Sequence, residues 1–279
     1  MTDSCTRQER KAQAGETPRE LWVVNLGMVE YQEALALQKR LVAAKRAGEL
    51  EADVLLLLEH PAVITLGRRG DESNVVASPD TLAARGIPVH RVERGGDVTY
   101  HGPGQLVGYP IVNLRRLPKR EDIGCFVSAM QEAIIRTLAS YDIPSERIEK
   151  VIGVWVRRPA RSLDALPWDA TYRAAVQAMV DGYAERKIAA IGARIEGWTS
   201  YHGFALNVNT DLTDFNLIVP CGLEDRGVTS MQAELGRTLE MEPIRQEIAR
   251  HLAEQWGHEL VWKQSIEEII AESWPSPTG

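Results

Sequence analysis

The chain has 279 residues, of which 44% are hydrophobic and 25% are charged, and its formal net charge is −7. This composition is typical of a folded globular protein and excludes a disordered, collagen-like or coiled-coil chain. An acidic balance also lacks the broad positive field of a general nucleic-acid binder, so we predict no nucleic-acid partner.

Hydrophobic periodicity predicts a mixture of short strands and amphipathic helices after a polar, flexible lead-in at residues 1–20. The predicted strands lie at 21–27, 53–60, 62–70, 87–93, 105–114, 146–156, 187–192, 202–208 and 258–263. The predicted helices lie at 28–48, 78–86, 122–141, 242–257 and 264–273. Because strands and helices do not alternate strictly, we predict the α/β class in its loose sense, an α+β arrangement with a mixed sheet.

Residues 21–279 contain no internal repeat and no clear linker, and we predict that they form one domain. Pro110 favours an edge or irregular position for the strand at 105–114, since proline cannot donate to a hydrogen-bond ladder. The segment 157–186 is irregular and then weakly helical between two strands. We predict that it is an insertion that covers one face of the sheet.

The three cysteines, Cys5, Cys125 and Cys221, are sparse and form no CxxC pair. Such a set predicts neither a disulfide framework nor a zinc site, and it favours free thiols in a reducing cytoplasm. The longest aliphatic run, at 54–58, is far shorter than the roughly 20 residues that cross a bilayer. We therefore expect no membrane contact, and we do not interpret residues 1–20 as a secretory signal.

The densest chemical signal is the segment 94–110, RGGDVTYHGPGQLVGYP. Gly95 and Gly96 allow the backbone to approach a ligand closely and to present N–H groups, and Arg94 carries a planar fork of donors. His101 precedes Gly-Pro-Gly, which predicts a rigid turn, and no second ligand at metal spacing accompanies it. The segment is neither a Walker loop nor a dinucleotide fingerprint, although a purely structural glycine turn is an alternative interpretation.

Cys221 lies in a Pro-Cys-Gly turn after an apolar run, which predicts an exposed bend, although an inert thiol fits equally well. A thiol with the ordinary pKa near 8.5 is only a few per cent ionised at about pH 7, so a nucleophilic role needs a nearby cation or base. Lys187 opens the apolar strand KIAAIG and is a candidate for that cation. The alternative is a strand-edge lysine that extends to water.

The segment 94–105 resembles the signature of the lipoyl(octanoyl) transferase family, which reads Arg-Gly-Gly, two residues, Thr, an aromatic residue, His and Gly-Pro-Gly-Gln. The resemblance extends from about residue 22 to about residue 235. It implies the catalytic fold of biotin and lipoate protein ligases, without a cofactor or a metal. It also implies a set of catalytic and substrate-binding residues. These are Cys221 and Lys187 as a catalytic dyad, with Arg94, Gly95, Gly96, Asp97, Val98, Thr99, Tyr100, His101, Ala190, Ile191, Gly192, Gly203, Phe204 and Ala205 around the substrate.

The resemblance implies an acyltransferase that acts in the first step of endogenous lipoate biosynthesis. Octanoyl would leave octanoyl-acyl carrier protein, form a thioester with Cys221 and reach a lysine of the lipoyl domains of 2-oxoacid dehydrogenase and glycine cleavage proteins. The Lys187 ammonium would lower the pKa of the Cys221 thiol, and the neutral amine would then accept a proton from the acceptor lysine. We assign His101 to positioning. The family usually joins the strand at 153–156 to the lysine strand by a few residues, whereas here 157–186 intervenes, a difference that loop-closure entropy tolerates.

Two basic clusters, Arg68-Arg69 and the segment 115–120, are candidate docking sites for an acidic carrier protein. An ordinary solvated basic face is the alternative for either cluster. Three other functions compete with the transferase. An ATP-dependent lipoate ligase would need no nucleophilic cysteine, and a non-catalytic lipoyl-domain-binding protein would need neither Cys221 nor Lys187. A cysteine hydrolase would pair its thiol with a histidine, for which His202 is a candidate.

Overall fold

The computed structural model describes residues 19–157, 166, 168–181, 184–219 and 226–273. Its strands are β1 (Arg19–Met28), β2 (Asp53–Glu59), β3 (Val63–Leu66), β4 (Val89–Arg91), β5 (Val98–His101), β6 (Gln105–Ile111), β7 (Glu146–Ile148), β8 (Val151–Val156), β9 (Arg186–Glu196), β10 (Thr199–Asn207), β11 (Gly227–Val228) and β12 (His258–Lys263). Its α-helices are α1 (Tyr31–Ala47), α2 (Pro79–Ala84), α3 (Ile123–Ala139), α4 (Ala170–Asp181), α5 (Met231–Leu235), α6 (Met241–Trp256) and α7 (Ile266–Ser273). Short 3-10 helices lie at Glu72–Asn74, Leu114–Arg116 and Leu212–Leu217. The mixed α/β class is therefore confirmed.

Within the described residues, two sheets form the framework of the fold. The larger sheet has the strand order β12-β1-β2-β6-β10-β9-β8-β7, with β11 paired to β9, and the smaller has the order β4-β3-β5. The larger sheet is mixed, because β2 pairs in parallel with β1 and antiparallel with β6. Strand β2 is buried along almost its whole length, as its continuous aliphatic run predicts.

Helices cover both faces of the larger sheet. On one face α3 and α6 pack together, and the rings of Phe126 and Trp256 stack with their centroids 5.6 Å apart. On the other face α1 packs against β6 and β10, and Ile269 of α7 joins the same cluster. Each fully buried large apolar side chain contributes roughly 1.5–3 kcal/mol to the free energy of unfolding, so these two layers stabilise the sheet that carries the site.

The edge position predicted for the Pro110 strand is wrong, because β6 lies in the middle of the larger sheet between β2 and β10. The ladder between β6 and β10 covers only Gln105 to Gly108, so it does not use the missing N–H of Pro110. A Cβ on Gly203 would lie 2.5 Å from Cδ of Pro110. A glycine opposite the ring therefore allows a proline in a central strand.

The strand predicted at 146–156 is a hairpin of β7 and β8, in which Lys150 has a φ of 66° at the turn. The strands predicted at 187–192 and 202–208 are longer than expected and form one antiparallel pair, β9 with β10. Their extension matters for function, because the pair forms one wall of the cavity described below.

Part of the segment 157–186 forms α4, whereas 158–165, 167 and 182–183 lie outside the described residues. Val176 and Val180 of α4 are buried in a third apolar cluster beside the smaller sheet. The Tyr172 hydroxyl donates to Oδ1 of Asp211 at 2.9 Å. The helix therefore packs next to the 3-10 helix at Leu212–Leu217. The single-domain organisation and the insertion remain predictions.

The N-terminal strand begins at Arg19, two residues before the predicted start, and most of the predicted lead-in lies outside the described residues. The expectation of free thiols is wrong for Cys125, which is half-buried at the start of α3 and disulfide-bonded. Cys5 and Cys221 lie outside the described residues. In the part of the chain that the structure describes, we find no helix with the length and apolarity needed to cross a bilayer.

Candidate active site

A cavity lies between the loop at 94–97, which we call the glycine-rich loop, and the β9–β10 pair, and it encloses about 530 Å³ of empty space with its open mouth included. Lys187 lines it together with almost all of the substrate-binding residues predicted from the sequence. Those lining residues are Arg94, Gly95, Gly96, Asp97, Val98, Thr99, His101, Ala190, Ile191, Gly192, Gly203, Phe204 and Ala205. Tyr100 is the one predicted residue outside this lining, because its side chain points to the apolar cluster of the smaller sheet and its hydroxyl donates to Asp214 at 2.5 Å. Cys221 lies outside the described residues.

The glycines hold the loop directly against β9. The Gly95 N–H donates to the Ala193 carbonyl at 3.1 Å, and a Cβ on Gly192 would lie only 2.7 Å from the Gly95 carbonyl oxygen. Gly96 has a φ of 92°, a left-handed conformation that glycine adopts at no steric cost. The close backbone approach that the sequence predicts therefore exists, and it joins the loop to the opposite wall.

Arg94 anchors the loop to the smaller sheet. Its Nη2 donates to the Thr65 carbonyl at 2.7 Å and to the Thr65 hydroxyl at 2.9 Å, and its Nη1 donates to the Gly95 carbonyl at 3.0 Å. The residue is 8% exposed and also lines the cavity. The sequence suggested a donor fork for a ligand, whereas these contacts give the guanidinium a role in shaping the loop.

A second loop, at 67–74, backs the glycine-rich loop on the side away from the cavity. The N–H groups of Arg68 and Arg69 donate to the carbonyls of Arg94 and Gly96, and both arginines are exposed. The Asp97 carboxylate accepts from the side-chain amide of Asn74 at 2.7 Å. The two loops therefore form a continuous two-layered wall.

The chain on either side of the segment 220–225 is fixed at two walls of the cavity. Before this segment, the Val219 N–H donates to the Asn74 carbonyl at 2.7 Å, beside the two-layered wall. After it, Gly227 and Val228 pair in parallel with Arg186 and Lys187. Cys221 belongs to the segment 220–225, which lies outside the described residues, and the residue pair that follows this segment, Gly227 and Val228, is adjacent to Lys187.

Lys187 is 7% exposed and lies opposite Trp155 in the β8–β9 pair. Its Nζ is 4.8 Å from the centroid of the Trp155 ring. A lysine inside an apolar strand is partly desolvated, as the sequence predicts, and here the surrounding residues direct it to the cavity rather than to bulk water.

His101 is held by the last residue of the signature. Its Nδ1 is 2.7 Å from Oε1 of Gln105, an acceptor, so Nδ1 carries the proton. Gln105 in turn donates to Asn207 at 2.9 Å, and Asn207 donates to the Thr229 carbonyl at the same distance. Burial lowers the pKa of His101 to about 3. The neutral ring is therefore suited to positioning, and it is a weak base near neutral pH.

Four further aromatic or imidazole side chains surround the end of the cavity near His101, and only His202 among them was named from the sequence, as the candidate partner of a hydrolase. They are Tyr31, His60, Tyr109 and His202. The Tyr109 hydroxyl donates to Nε2 of His60 at 2.7 Å, and Nδ1 of His60 donates to the Val29 carbonyl at 2.6 Å. These residues come from α1, the end of β2, β6 and β10, so only the strand order brings them together.

His202 is a poor partner for a nucleophilic thiol. His202 pairs with Ala193 on β9. Ala193 is six residues after Lys187, so the two positions are about 20 Å apart along the extended strand. Burial lowers the pKa of His202 to about 3. The low pKa of His202 makes it a weak base and therefore disfavours a hydrolase in which His202 activates the cysteine.

Three of the four buried histidines, those around the cavity, predict a loss of stability in mild acid, and burial also lowers the pKa of the fourth, His251. Burial lowers the pKa of His60 to about 4 and that of His101 and His202 to about 3, whereas the value in an unfolded chain is near 6.5. Below about pH 6.5 the unfolded chain binds protons that the folded chain does not, so the free energy of unfolding falls as the pH falls towards about 4. The expected slope is roughly 1 kcal/mol per pH unit for each histidine.

Urea denaturation between about pH 7.5 and pH 4.5 measures this slope, in a window above the ordinary pKa values of carboxylates. The variant His60→Gln removes one of these groups and should reduce the slope by roughly 1 kcal/mol per pH unit. A stability that does not change across this window would contradict the assigned protonation states.

The geometry can be compared with known proteins. The sequence-family model of the lipoyl protein ligase A/B catalytic domain matches residues 30–253 of this chain. A curated octanoyltransferase from Acidobacterium capsulatum is 42% identical over 257 residues, which cover 90% of this chain and 96% of that protein. Another, from Solibacter usitatus, is 45% identical over 236 residues, which cover 85% of this chain and 93% of that protein.

Among solved structures, the bipartite lipoate protein ligase of Thermoplasma acidophilum superimposes with a TM-score of 0.62 and 15% identity, over 92% of this chain and 91% of that one. A lipoate-protein ligase A bound with ATP gives a TM-score of 0.58 and 16% identity, over 92% and 93% of the two chains. At these identities the likeness shows a shared fold. It confirms the ligase-like catalytic fold that the signature segment implied.

Proposed function

We propose that this chain takes octanoyl from acyl carrier protein and transfers it through Cys221 to a lipoyl-domain lysine. The premise is that the chain belongs to the lipoyl protein ligase A/B catalytic family and is an octanoyltransferase. The observation that carries this proposal is the position of Lys187. It lies buried in the cavity that the glycine-rich loop lines, next to the β11 residues that follow the cysteine-bearing segment.

In the first half-reaction, the Lys187 ammonium stabilises the Cys221 thiolate, which attacks the carbonyl carbon of the octanoyl thioester. A bond forms between that carbon and Sγ of Cys221, and the bond to the carrier sulfur breaks. The departing sulfur takes a proton from Lys187, which becomes a neutral amine. The products are a free carrier thiol and an octanoyl thioester on the enzyme.

In the second half-reaction, the neutral amine of the acceptor lysine attacks the enzyme thioester. An amide bond forms, the bond to Sγ of Cys221 breaks, and the proton of the attacking nitrogen passes to Lys187. The thiolate and the ammonium are restored, so one lysine serves both steps and no other reactant is consumed.

The walls of the cavity suit an unbranched acyl chain. Val98, Ile191 and Phe204 line it with apolar surface, and Gly192 and Gly203 line it with backbone alone. Burial of six methylenes at roughly 0.8 kcal/mol each would contribute about 5 kcal/mol to binding. This binds a medium chain, whereas discrimination against a chain one carbon longer or shorter remains modest.

An ATP-dependent lipoate ligase is the second candidate, because lipoate ligases share this fold. The two activities differ in their donor, since a ligase activates a free acid and a transferase uses a thioester. Purified protein with a lipoyl domain should form the octanoyl amide from octanoyl-acyl carrier protein without ATP. Amide formation only from free octanoate and ATP would contradict the proposed donor.

We propose Arg68 and Arg69 as the docking surface for the acidic carrier protein. Both are exposed, and neither has an ion-pair partner within the described residues. Their backbone N–H groups donate to the carbonyls of Arg94 and Gly96, two residues that line the cavity, so the backbone of both arginines directly flanks the cavity wall. The placement is consistent with steering of a negatively charged donor to the mouth.

The other basic cluster is less suited to this role. Arg115 pairs with Glu121 at 2.7 Å, and Arg116 donates to the Glu51 carbonyl at 3.2 Å. The cluster begins just after Asn113, which forms a β-bridge with Thr199, and Thr199 pairs with Glu196 on β9. Glu196 is nine residues after Lys187, a distance of about 30 Å along the strand. It therefore lies far from the reacting groups.

The double variant Arg68→Glu and Arg69→Glu should raise KM for octanoyl-acyl carrier protein by about ten-fold at low salt, with a smaller effect at high salt. Steady-state kinetics with the carrier donor, and with a small neutral octanoyl thioester that makes no use of docking, measure this effect. The matched control, Arg115→Glu with Arg116→Glu, should stay within about two-fold of the unmodified protein. An equal effect of both pairs would show that overall charge, rather than this surface, governs KM.

We further propose lipoyl domains of 2-oxoacid dehydrogenase and glycine cleavage proteins as acceptors, and the cytoplasm as the compartment. The acceptor proposal is supported by the family and by a structural neighbour described together with its E2 lipoyl domain. Because Cys125 is disulfide-bonded, assays of these acceptors should be run with and without a thiol reductant.

A further inference from the structure

Trp155 is a fully buried residue that touches the proposed catalytic lysine. It is 1% exposed, it lies opposite Lys187 in the β8–β9 pair, and its ring centroid is 4.8 Å from Nζ of Lys187. The pairing of β8 with β9 shifts register between Val154 and Trp155. Such a bulge redirects a side chain and is frequent beside active sites. The backbone therefore presents this ring to this amine.

A second cation, Arg226, lies over the same Trp155 ring, and a neighbouring carboxylate compensates its charge. Cζ of Arg226 lies 5.2 Å from the same centroid. Arg226 forms an ion pair with Glu185, with Nε and Oε2 3.1 Å apart. Because Glu185 screens the guanidinium, Arg226 can support the ring with little repulsion of the Lys187 ammonium. Arg226 also directly follows the segment that contains Cys221.

Gly153 provides the space for this contact. A Cβ at residue 153 would lie 3.3 Å from Cε of Lys187 and 3.4 Å from Nε1 of Trp155. The Gly153 carbonyl accepts a hydrogen bond from the side chain of Gln131 at 2.9 Å, which fixes this part of β8 to α3. The tryptophan and the lysine therefore meet at a rigid position.

We propose that Trp155 is a positioning residue of octanoyl transfer, whose ring holds the Lys187 ammonium at the cavity. An aromatic face attracts a desolvated ammonium and opposes its rotation to water. The ring thereby keeps the Lys187 amine at the cavity wall, where the proposed first half-reaction needs it. This inference rests on the proposed function, because it acts through Lys187.

Two substitutions separate the ring from the indole N–H. The variant Trp155→Phe keeps an aromatic face and removes the N–H, which is buried and has no hydrogen-bond partner among the described residues. The variant Trp155→Leu removes both. We expect the single-turnover rate of enzyme acylation by a small octanoyl thioester to fall by less than about three-fold in the first variant and by about ten- to thirty-fold in the second.

A pH profile of the acylation rate distinguishes a role of Trp155 in positioning Lys187 from a general destabilisation of the fold. In Trp155→Leu the alkaline limb of the profile should move to lower pH, since the ring no longer favours the ammonium form over the neutral amine. The apparent affinity for the small thioester should stay within about two-fold, because Trp155 does not line the cavity. All rates are measured well below the melting temperature of each variant.

The matched control is Trp22→Leu, since the Trp22 ring also lies over a lysine, with Nζ of Lys263 4.3 Å from its centroid. It belongs to β1 and lies outside the cavity, so its acylation rate and pH profile should be those of the unmodified protein. Equal losses in Trp155→Phe and Trp155→Leu, or a Trp155→Leu variant with normal acylation, would overturn the inference. Absence of any Cys221 adduct in the unmodified protein would instead overturn the proposed function itself.

Discussion

Replacement of Lys187 by alanine should lower the rate of octanoyl transfer by about 10²–10⁴-fold, the usual contribution of a general acid–base group, and should leave the chain folded. The imidazoles that line the cavity cannot replace the amine, because burial lowers the pKa of His101 and His202 to about 3. They are neutral at physiological pH and hold a proton too weakly to act as bases there.

The variant Lys187→Arg is the sharper comparison, because it keeps a cation but lacks a group that can lose its proton. It should retain part of the acylation rate, since the guanidinium still stabilises a thiolate, and it should lose transfer to the acceptor lysine. The acyl-enzyme should therefore accumulate. Rapid-quench measurement of both half-reactions, with thermal unfolding as a control, tests this split. A Lys187→Ala rate within three-fold of the unmodified protein would remove Lys187 from the mechanism.

Replacement of Arg94 by methionine should destabilise the chain and lower its activity together. The variant loses the bonds from the guanidinium to the Thr65 carbonyl, the Thr65 hydroxyl and the Gly95 carbonyl, and Thr65 is fully buried. Unsatisfied buried acceptors cost about 1–3 kcal/mol each, partly offset because a buried cation is removed. We expect a net loss of about 2–4 kcal/mol in the free energy of unfolding.

Urea denaturation and melting curves measure this loss, which corresponds to a melting temperature lower by about 5–15 °C. Octanoyl transfer should fall as well, because the glycine-rich loop depends on Arg94 for its position against the smaller sheet. The conservative variant Arg94→Lys keeps the charge but cannot reproduce the fork, and it should be intermediate. A melting temperature of Arg94→Met within 2 °C of the unmodified protein would show that the loop does not need this anchor.

Much of the fold follows from local sequence patterns. The aliphatic run in β2 predicted a buried strand, and the apolar spacing of α3 predicted the helix that covers β8 and β9. Long-range contacts account for the misplaced elements. Pro110 was predicted at an edge because its compensation, Gly203 on β10, lies far away in the sequence. The hairpin of β7 and β8 has no glycine or proline at its turn, where Lys150 adopts the left-handed conformation.

In the candidate site, too, some residues follow from local sequence patterns and others depend on long-range contacts. The signature segment and the two strands β9 and β10 were predicted from local residues, and they line one cavity. Tyr31 and His60 were not predicted, because each lies in a segment without a chemical motif, and Tyr109 was not predicted, because it follows the signature at 94–105 within the segment 94–110. Their grouping depends on the strand order. The contact between Trp155 and Lys187 likewise depends on the register of β8 with β9, which the intervening thirty residues at 157–186 conceal from any local pattern.

The most direct test of the account is mass spectrometry of the reduced enzyme after exposure to octanoyl-acyl carrier protein without an acceptor. We predict a single added octanoyl group on the peptide that contains Cys221. It should be released by hydroxylamine and by an added lipoyl domain, and Cys221→Ser should not form this hydroxylamine-labile thioester. Transfer to the lipoyl domain at the normal rate by Cys221→Ala, or an octanoyl group found only on another residue, would contradict the account.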